Sequence, residues 1–265
     1  MNALILIPAR YASSRYPGKP LVEIKGARGG VKPLIQRSVE AARGVAGVSG
    51  VFVTTDDERI ADACMANGVG VVMTSADCRN GTERCAQAIA QLHDADLVIN
   101  FQGDALLTPP SFVEALIERM RTDGDALVAT PAIRLRSDEV RALQAEEAAG
   151  RVGGTSVVTD AKSHALYFSK RLIPHLPAGA LDAELSPVRL HIGVYAYRPA
   201  ALELYANTPP SELELLEGLE QLRFLDAGVP IAVVEVEPPS FALRELNNPE
   251  DVGPIEEALR LAGIE

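Results

Sequence analysis

Three cationic residues follow the first apolar run of the sequence, in a segment that resists regular structure. Arg10, Arg15 and Lys19 come directly after residues 3–8, a run typical of a buried strand. Two prolines and a glycine between positions 17 and 20 favour a loop over a helix or strand. Ligands of open α/β sheets bind beyond the carboxyl ends of the strands, where such a loop can surround a triphosphate. The alternative is a solvated surface loop with unrelated charges.

A carboxylate follows a second buried strand. Asp104 comes after residues 96–101, a strongly apolar and β-branched run. If both strands end at the same sheet edge, Asp104 can hold Mg²⁺ against phosphate oxygens. An aspartate at a strand end is often only a helix cap or turn residue. The cationic loop therefore favours the metal interpretation.

Arg84 lies at a loop-to-helix junction, in the run Asn-Gly-Thr-Glu-Arg. From there it can reach a base, a ribose or a phosphate. A surface ion pair with Glu83 or Asp77 is an equally good interpretation of the spacing.

Several polar side chains in the second half of the chain are weaker candidates. His191, Tyr195 and Tyr197 alternate along a predicted strand at 190–197 and share one face of it. A histidine in that setting is more often packed and hydrogen-bonded than a catalytic base. Glu220 and Gln221 lie in a leucine-rich amphipathic segment, 212–225, which predicts a helix with both on its solvated face.

Strand and helix patterns alternate through about the first hundred residues. This predicts an α/β fold with a mostly parallel sheet and helices on both faces. Short strand patterns between 151 and 200 predict a small antiparallel subdomain within a single domain spanning 1–265.

Composition excludes several classes of protein. The net charge of -11 over 265 residues argues against nucleic acid as a partner. The apolar runs are shorter than the roughly 18 residues that span a bilayer, so no membrane association is expected. Three cysteines without paired spacing favour neither a disulfide framework nor a zinc site. A cytoplasmic protein is expected.

Seven blocks resemble, in order and across nearly the whole chain, the 3-deoxy-manno-octulosonate cytidylyltransferases, also called CMP-Kdo synthetases. They are RYASSRYPGKPL at 10–21, NGTER at 80–84, NFQGD at 100–104, ALYFS at 165–169, HIGVYAYR at 191–198, LEQLR at 219–223 and NPED at 248–251. The resemblance implies a Rossmann-like nucleotidyltransferase fold and usually a homodimer with a small antiparallel dimerisation subdomain. It also implies that CTP and Mg²⁺ activate Kdo or a close 2-keto-3-deoxy sugar acid, with release of pyrophosphate, for lipopolysaccharide or capsule synthesis.

The resemblance also implies roles for individual residues. Arg10, Arg15 and Lys19 look like the triphosphate cradle, and Asp104 looks like a metal ligand. Arg84 resembles the nucleotide-site arginine and Gln102 its partner near the substrate. The residues that resemble the sugar-acid site are His191, Tyr195, Glu220 and Gln221.

Three positions depart from the family pattern. Ala105 stands where a glutamate commonly follows the aspartate, and Asn247 stands where the family has a metal-binding aspartate. An asparagine can still offer a carbonyl oxygen to the metal. Lys170 stands where an arginine usually contributes to substrate binding, which changes how a carboxylate is recognised.

These departures leave three hypotheses. The first is a cytidylyltransferase for Kdo or a close relative. The second is a cytidylyltransferase for another anionic acceptor, such as a different ulosonic acid or a phosphonate. The third is a catalytically inactive nucleotide-binding regulator, which predicts CTP binding without pyrophosphate release.

Overall fold

The fold is built on one large mixed sheet, and its strands and helices alternate as the sequence predicts. The computed structural model describes residues 1–13, 15–92 and 94–265. The strands are β1 (Ala3–Ala9), β2 (Glu23–Lys25), β3 (Val31–Pro33), β4 (Gly50–Thr55), β5 (Gly70–Met73), β6 (Leu97–Phe101), β7 (Val128–Arg136), β8 (Ser156–Thr159), β9 (Ala165–Ser169), β10 (Leu185–His191), β11 (Val194–Tyr197) and β12 (Ile231–Val236). The helices are α1 (Leu34–Arg43), α2 (Glu58–Met65), α3 (Gly81–Ile89), α4 (Pro110–Thr122), α5 (Ser137–Ala148), α6 (Pro199–Asn207), α7 (Glu212–Glu217), α8 (Leu222–Asp226) and α9 (Val252–Ala262).

Strand β1 is the centre of the sheet. It pairs in parallel with β4 on one side and with β6 on the other, and β5 extends the sheet beyond β4. β11 runs antiparallel between β6 and β7, and β12 pairs in parallel with β7. Strands β1, β4, β5, β6, β7 and β12 therefore all run in the same direction, and their carboxyl ends share one edge.

The antiparallel part extends the same sheet. β10 pairs with β7 and β8, and β8 pairs with β9. The predicted α/β class, with a mostly parallel centre and a smaller antiparallel part, is confirmed. The division into one domain with a subdomain at 151–200 stays a prediction.

Helices α2 and α3 begin at side-chain caps that the sequence supplies. The Asp57 side chain accepts the Arg59 N–H at the start of α2, and the Asn80 side chain accepts the Glu83 N–H at the start of α3. The apolar side chains of β1 are buried between α-helices on the two faces of the sheet. No helix in the described ranges is long and apolar enough to cross a membrane.

Two elements predicted to be continuous are each divided in the structure, so these predictions are wrong. The strand predicted at 190–197 is divided at Ile192 and Gly193, because β10 pairs with β7 and β8 whereas β11 enters the sheet beside β6. The helix predicted at 212–225 is divided into α7 and α8, because Gly218 ends α7 with a positive φ of 62°. Residues 218–221, called the 218–221 loop below, connect the two helices.

Candidate active site

A cleft of about 990 Å³ lies over the carboxyl edge of the sheet. The structure brings every predicted site residue to this one cleft, although their roles as ligands stay predictions. Those residues are Arg10, Arg15, Lys19, Arg84, Gln102, Asp104, Lys170, His191, Tyr195, Glu220, Gln221 and Asn247.

Tyr11 organises the cationic loop. Its carbonyl oxygen accepts the Gly18 N–H at 2.9 Å, and the Arg59 guanidinium lies 3.4 Å from the centroid of its ring. Gly18 has a φ of 73°, and a Cβ there would lie 3.1 Å from the Tyr11 ring. A glycine is therefore required at this turn. Arg10 and Arg15 remain exposed to solvent, and Ser14 lies outside the described residues.

Lys19 and Asp104 form an ion pair across the cleft floor, and each side chain is less than one-fifth exposed. Asp104 follows Gly103, at which a Cβ would lie only 2.7 Å from the Pro8 carbonyl oxygen of β1. The glycine thus lets the chain after β6 pass close to the end of β1. This contact brings the carboxylate to the cationic loop.

The segment that follows β12 supplies two further oxygen donors to the cleft. Glu245 and Asn247 both line it. Desolvation by the surrounding protein and the nearby charge of Asp104 raise the pKa of the Glu245 carboxyl. Asp251 accepts the backbone N–H groups of Asn247 and Asn248 at 2.9 and 2.7 Å. Its carboxylate is therefore used to fix this turn.

Arg84 is buried at the carboxyl edge, only 3% exposed. Its guanidinium lies 3.0 Å from the Asp56 carboxylate, directly after β4, and it donates to the Thr74 hydroxyl. The predicted alternative of a surface pair with Glu83 or Asp77 is wrong, because the charge is paired with Asp56 inside the protein.

An aromatic row forms the opposite wall. The rings of His191 and Tyr195 are 5.4 Å apart, and those of Tyr195 and Tyr197 are stacked at 5.7 Å. The Tyr195 hydroxyl donates to Gln221 Oε1 at 3.0 Å. Gln221 is 1% exposed, and its Nε2 has no partner among the described residues. The solvated position predicted for Gln221 is wrong, because its amide is buried, and the N–H groups of Nε2 are left without an acceptor among the described residues.

His191 is held in its neutral form. Burial lowers the pKa of its imidazole to about 3. Its Nε2 lies 2.9 Å from the Thr130 hydroxyl, which itself donates to the Val194 carbonyl oxygen at 2.8 Å. Since that hydroxyl has one hydrogen, His191 Nε2–H donates to it, and Nδ1 is left as an acceptor.

We expect His191→Gln to reduce the loss of stability in acid. The unfolded chain takes up a proton at His191 near pH 6.5, whereas the folded chain does so near pH 3. Between these pH values only the unfolded chain is protonated at His191. The free energy of unfolding therefore decreases as the pH falls, by up to about 1.4 kcal/mol per pH unit. Urea unfolding at pH 7, 6, 5 and 4 measures the slope. Identical slopes for wild type and variant would show that His191 titrates normally.

Glu220 is also wrongly predicted to be solvated. Its carboxylate accepts the Thr82 N–H at 3.0 Å, in the first turn of α3. Burial raises the pKa of this carboxyl. Lys170 remains exposed at the cleft edge, and its backbone N–H donates to Glu217 at 3.0 Å.

A family described as cytidylyltransferase matches residues 4–231. The 3-deoxy-manno-octulosonate cytidylyltransferase of Maricaulis maris is 43% identical over 265 residues, covering 100% of this chain and 97% of the relative. The chain belongs to this family. The Escherichia coli protein of the same name is 42% identical over 235 residues, 89% of this chain and 88% of the relative.

Two further comparisons bear on the substrates. The 8-amino-3,8-dideoxy-manno-octulosonate cytidylyltransferase of Shewanella amazonensis is 40% identical, covering 98% of this chain and 100% of the relative. A solved CMP:2-keto-3-deoxy-manno-octonic acid synthetase complexed with CTP matches with a TM-score of 0.84 and 37% identity, over 99% of this chain and 100% of that one. The chain is therefore a nucleotidyltransferase of the cytidylyltransferase type.

Sequence reasoning missed a buried ionic cluster beside the cleft. Arg223 is 1% exposed and contacts Glu214 and Glu83. The sequence signal was an arginine between Leu222 and Phe224, since a cation between apolar neighbours needs a buried partner. Glu83 is 140 positions away in sequence, and Glu214, nine positions away, faces Arg223 only because the chain turns at Gly218, so the partners were not predictable.

Proposed function

We propose that this enzyme transfers CMP from CTP to the anomeric hydroxyl of 3-deoxy-manno-octulosonate and releases pyrophosphate. The observation that carries the proposal is the arrangement of one cleft with two different walls. Cations and Asp104 line the side formed by β1 and β6, and uncharged polar side chains together with the Glu220 carboxyl line the side formed by β11 and the 218–221 loop. The names of relatives with full-length similarity support the same reaction.

The cationic side is suited to the triphosphate. Arg10 and Arg15 are exposed and lie in a loop held by Tyr11, so they can meet phosphate oxygens without large rearrangement. Lys19 must leave Asp104 to join them. As the acceptor oxygen attacks the α-phosphorus, the bond to the β-phosphate oxygen breaks, and these cations stabilise the charge on the leaving pyrophosphate.

The neutral side is suited to a polyhydroxylated acid. Neutral His191 offers Nδ1 as an acceptor, and Gln221 offers Nε2 as a donor. The hydroxyl groups of a sugar need both kinds of partner. Lys170 supplies a cation at the same cleft for a carboxylate, as a point charge without the fork of an arginine.

We propose Mg²⁺ as the cofactor, held by Asp104 and the Asn247 carbonyl oxygen, with Glu245 as a further oxygen donor nearby. All three line the cleft, and hard oxygen donors suit this ion. Among the described residues no group of three or more acidic, histidine or cysteine side chains forms a metal cage. This fits an ion that uses few protein ligands together with phosphate oxygens. When bound, the ion would neutralise charge on the nucleotide phosphates.

The test is pyrophosphate release by the purified protein with CTP and Mg²⁺. Kdo, the 8-amino-3,8-dideoxy acid, another ulosonic acid and a simple phosphonate are offered separately, with ATP, GTP and UTP as nucleotide controls. Release with CTP and Kdo at the highest kcat/KM supports the proposal. A higher value with a different acceptor would replace the substrate. CTP binding without release for any acceptor would favour the inactive regulator.

We also propose a homodimer, as the resemblance implies. Leu213 and Leu216 lie three residues apart on one face of α7 and are 41% and 75% exposed, an apolar surface that suits a second copy of the chain. Leu216→Glu is expected to change the mass in light scattering from twice 28.2 kDa to 28.2 kDa. Leu261→Glu, on the exposed face of α9, is the matched control. A wild-type monomer, or a dimer indifferent to Leu216→Glu, would contradict the proposal.

A further inference from the structure

Arg223 is the largest fully buried side chain of the described residues, and it lies between the two walls of the cleft. Each of its five N–H donors has an acceptor. Nε and one Nη2 hydrogen bind the two oxygens of Glu214, both at 2.6 Å, and the other Nη2 hydrogen meets Glu83 at 3.2 Å. Nη1 donates to the carbonyl oxygens of Tyr205 and Thr208 at 3.4 and 3.3 Å.

The charges around Arg223 balance. Glu83 also accepts from Arg79, so two arginines face two glutamates in this cluster. The guanidinium of Arg223 stacks over the Tyr205 ring at 3.9 Å. A buried ion pair with complete hydrogen bonding gives strict geometry more than net stability.

The cluster joins segments with different predicted ligands. Glu83 belongs to the α3 turn, residues 79–84, which contains Arg84 of the nucleotide side. Arg223 is the second residue after the 218–221 loop, which presents Glu220 and Gln221 to the acceptor side. Glu83 and Arg223 are 140 positions apart in the sequence, and their side chains are in contact.

Further contacts connect the α3 turn to Glu214 of the ionic cluster and to the 218–221 loop. Asn80, the cap of α3, donates to the Tyr205 hydroxyl at 2.8 Å, and that hydroxyl lies 3.2 Å from Glu214. The Thr82 N–H donates to Glu220 at 3.0 Å. Movement of the α3 turn therefore acts directly on the side chains of the 218–221 loop.

We propose that Arg223 and Glu83 are positioning residues that hold the 218–221 loop against the α3 turn, so that acceptor binding depends on bound CTP. This inference rests on the proposed function, in which the α3 turn meets the nucleotide and the loop meets the acceptor. Neither residue needs to touch a reacting atom. The network transmits the position of one segment to the other.

Glu83→Gln tests the proposal because it weakens the contact to Arg223 and leaves the Glu214 pair in place. We expect the acceptor KM to rise about tenfold, with CTP affinity in calorimetry without acceptor unchanged within about twofold. Arg223→Lys keeps the charge but loses the planar guanidinium with its paired N–H donors, and it should also raise the acceptor KM. Glu118→Gln breaks an exposed pair with Arg121 on α4 and is the matched control.

Hydrogen exchange gives a readout that needs no acceptor. In the wild type, CTP is expected to slow amide exchange in residues 218–221, and in Glu83→Gln this slowing should be lost. An acceptor KM within about twofold of wild type, or CTP-induced protection that persists in the variant, would overturn the inference and leave Arg223 with a purely structural role. If the wild type binds CTP but transfers CMP to no acceptor, the proposed function fails. Hydrogen exchange in residues 218–221 still tests whether CTP binding is coupled to this loop through Glu83.

Discussion

Asp104→Asn is expected to lower kcat about 1000-fold at saturating CTP and to weaken the dependence of the rate on Mg²⁺. The substitution keeps the size of the side chain and removes the negative charge. Asp104 is the only carboxylate among the metal ligands predicted from the sequence, since Ala105 and Asn247 stand where the family has acidic residues. The measurement is pyrophosphate release across a series of Mg²⁺ concentrations.

The variant should fold normally. The amide oxygen of the new side chain can still accept a hydrogen bond from Lys19, and both side chains of this pair reach solvent, so the unfolding midpoint should change little. Asp123→Asn, in a half-buried pair with Arg119 at the end of α4, is the matched control and should retain wild-type kcat. An Asp104→Asn variant with unchanged rate and metal dependence would remove Asp104 from the metal site.

A second measurement separates metal binding from chemistry. Lys19 pairs with Asp104 in the structure, so the carboxylate is already partly neutralised by a protein cation. A divalent ion can pair with the Asp104 carboxylate, and the nucleotide phosphates can pair with Lys19. Both side chains would then keep a partner of opposite charge. After subtraction of the heat of Mn²⁺ binding to free CTP, calorimetric titration of the protein with Mn²⁺ should show much stronger binding in the presence of CTP than in its absence, and Asp104→Asn should abolish this difference.

The sequence predicts the parallel part of the fold well because local patterns determine it. Buried runs at β1, β4 and β6 are followed along the chain by helical patterns, and parallel neighbours bring their carboxyl ends together. Arg10, Lys19 and Asp104 are found at one edge for this reason. Their meeting depends on the order and direction of adjacent strands, together with the close turns at Gly18 and Gly103.

The acceptor side was harder to predict because it depends on tertiary contacts. Gln221 follows a leucine-rich pattern that indicates one amphipathic helix, yet Gly218 breaks it and turns Gln221 toward Tyr195. The buried pair of Glu83 and Arg223 likewise comes from the packing of α3 against α6 and α8. No periodicity in the sequence reports that a charged side chain will be enclosed by residues far along the chain.

Arg15→Ala is expected to lower kcat/KM for CTP by about 100- to 1000-fold, with effects on both KM and kcat. Arg15 is exposed and forms no ion pair with the described residues of the ligand-free chain. Its loss should therefore leave the unfolding midpoint unchanged. Steady-state kinetics with varied CTP and saturating acceptor measure the effect, and Arg121→Ala, an exposed cation on α4, is the control.

Salt dependence gives the decisive comparison for Arg15. The protein carries a net charge of -11, so the cationic loop must overcome repulsion of a triphosphate by the rest of the surface. Added salt screens exposed charges, and wild-type CTP affinity should fall as ionic strength rises. In Arg15→Ala this fall should be smaller because one attractive charge is gone. Turnover and salt dependence both equal to wild type would show that Arg15 does not contact the triphosphate, and the cradle would then consist of Arg10 and Lys19 alone.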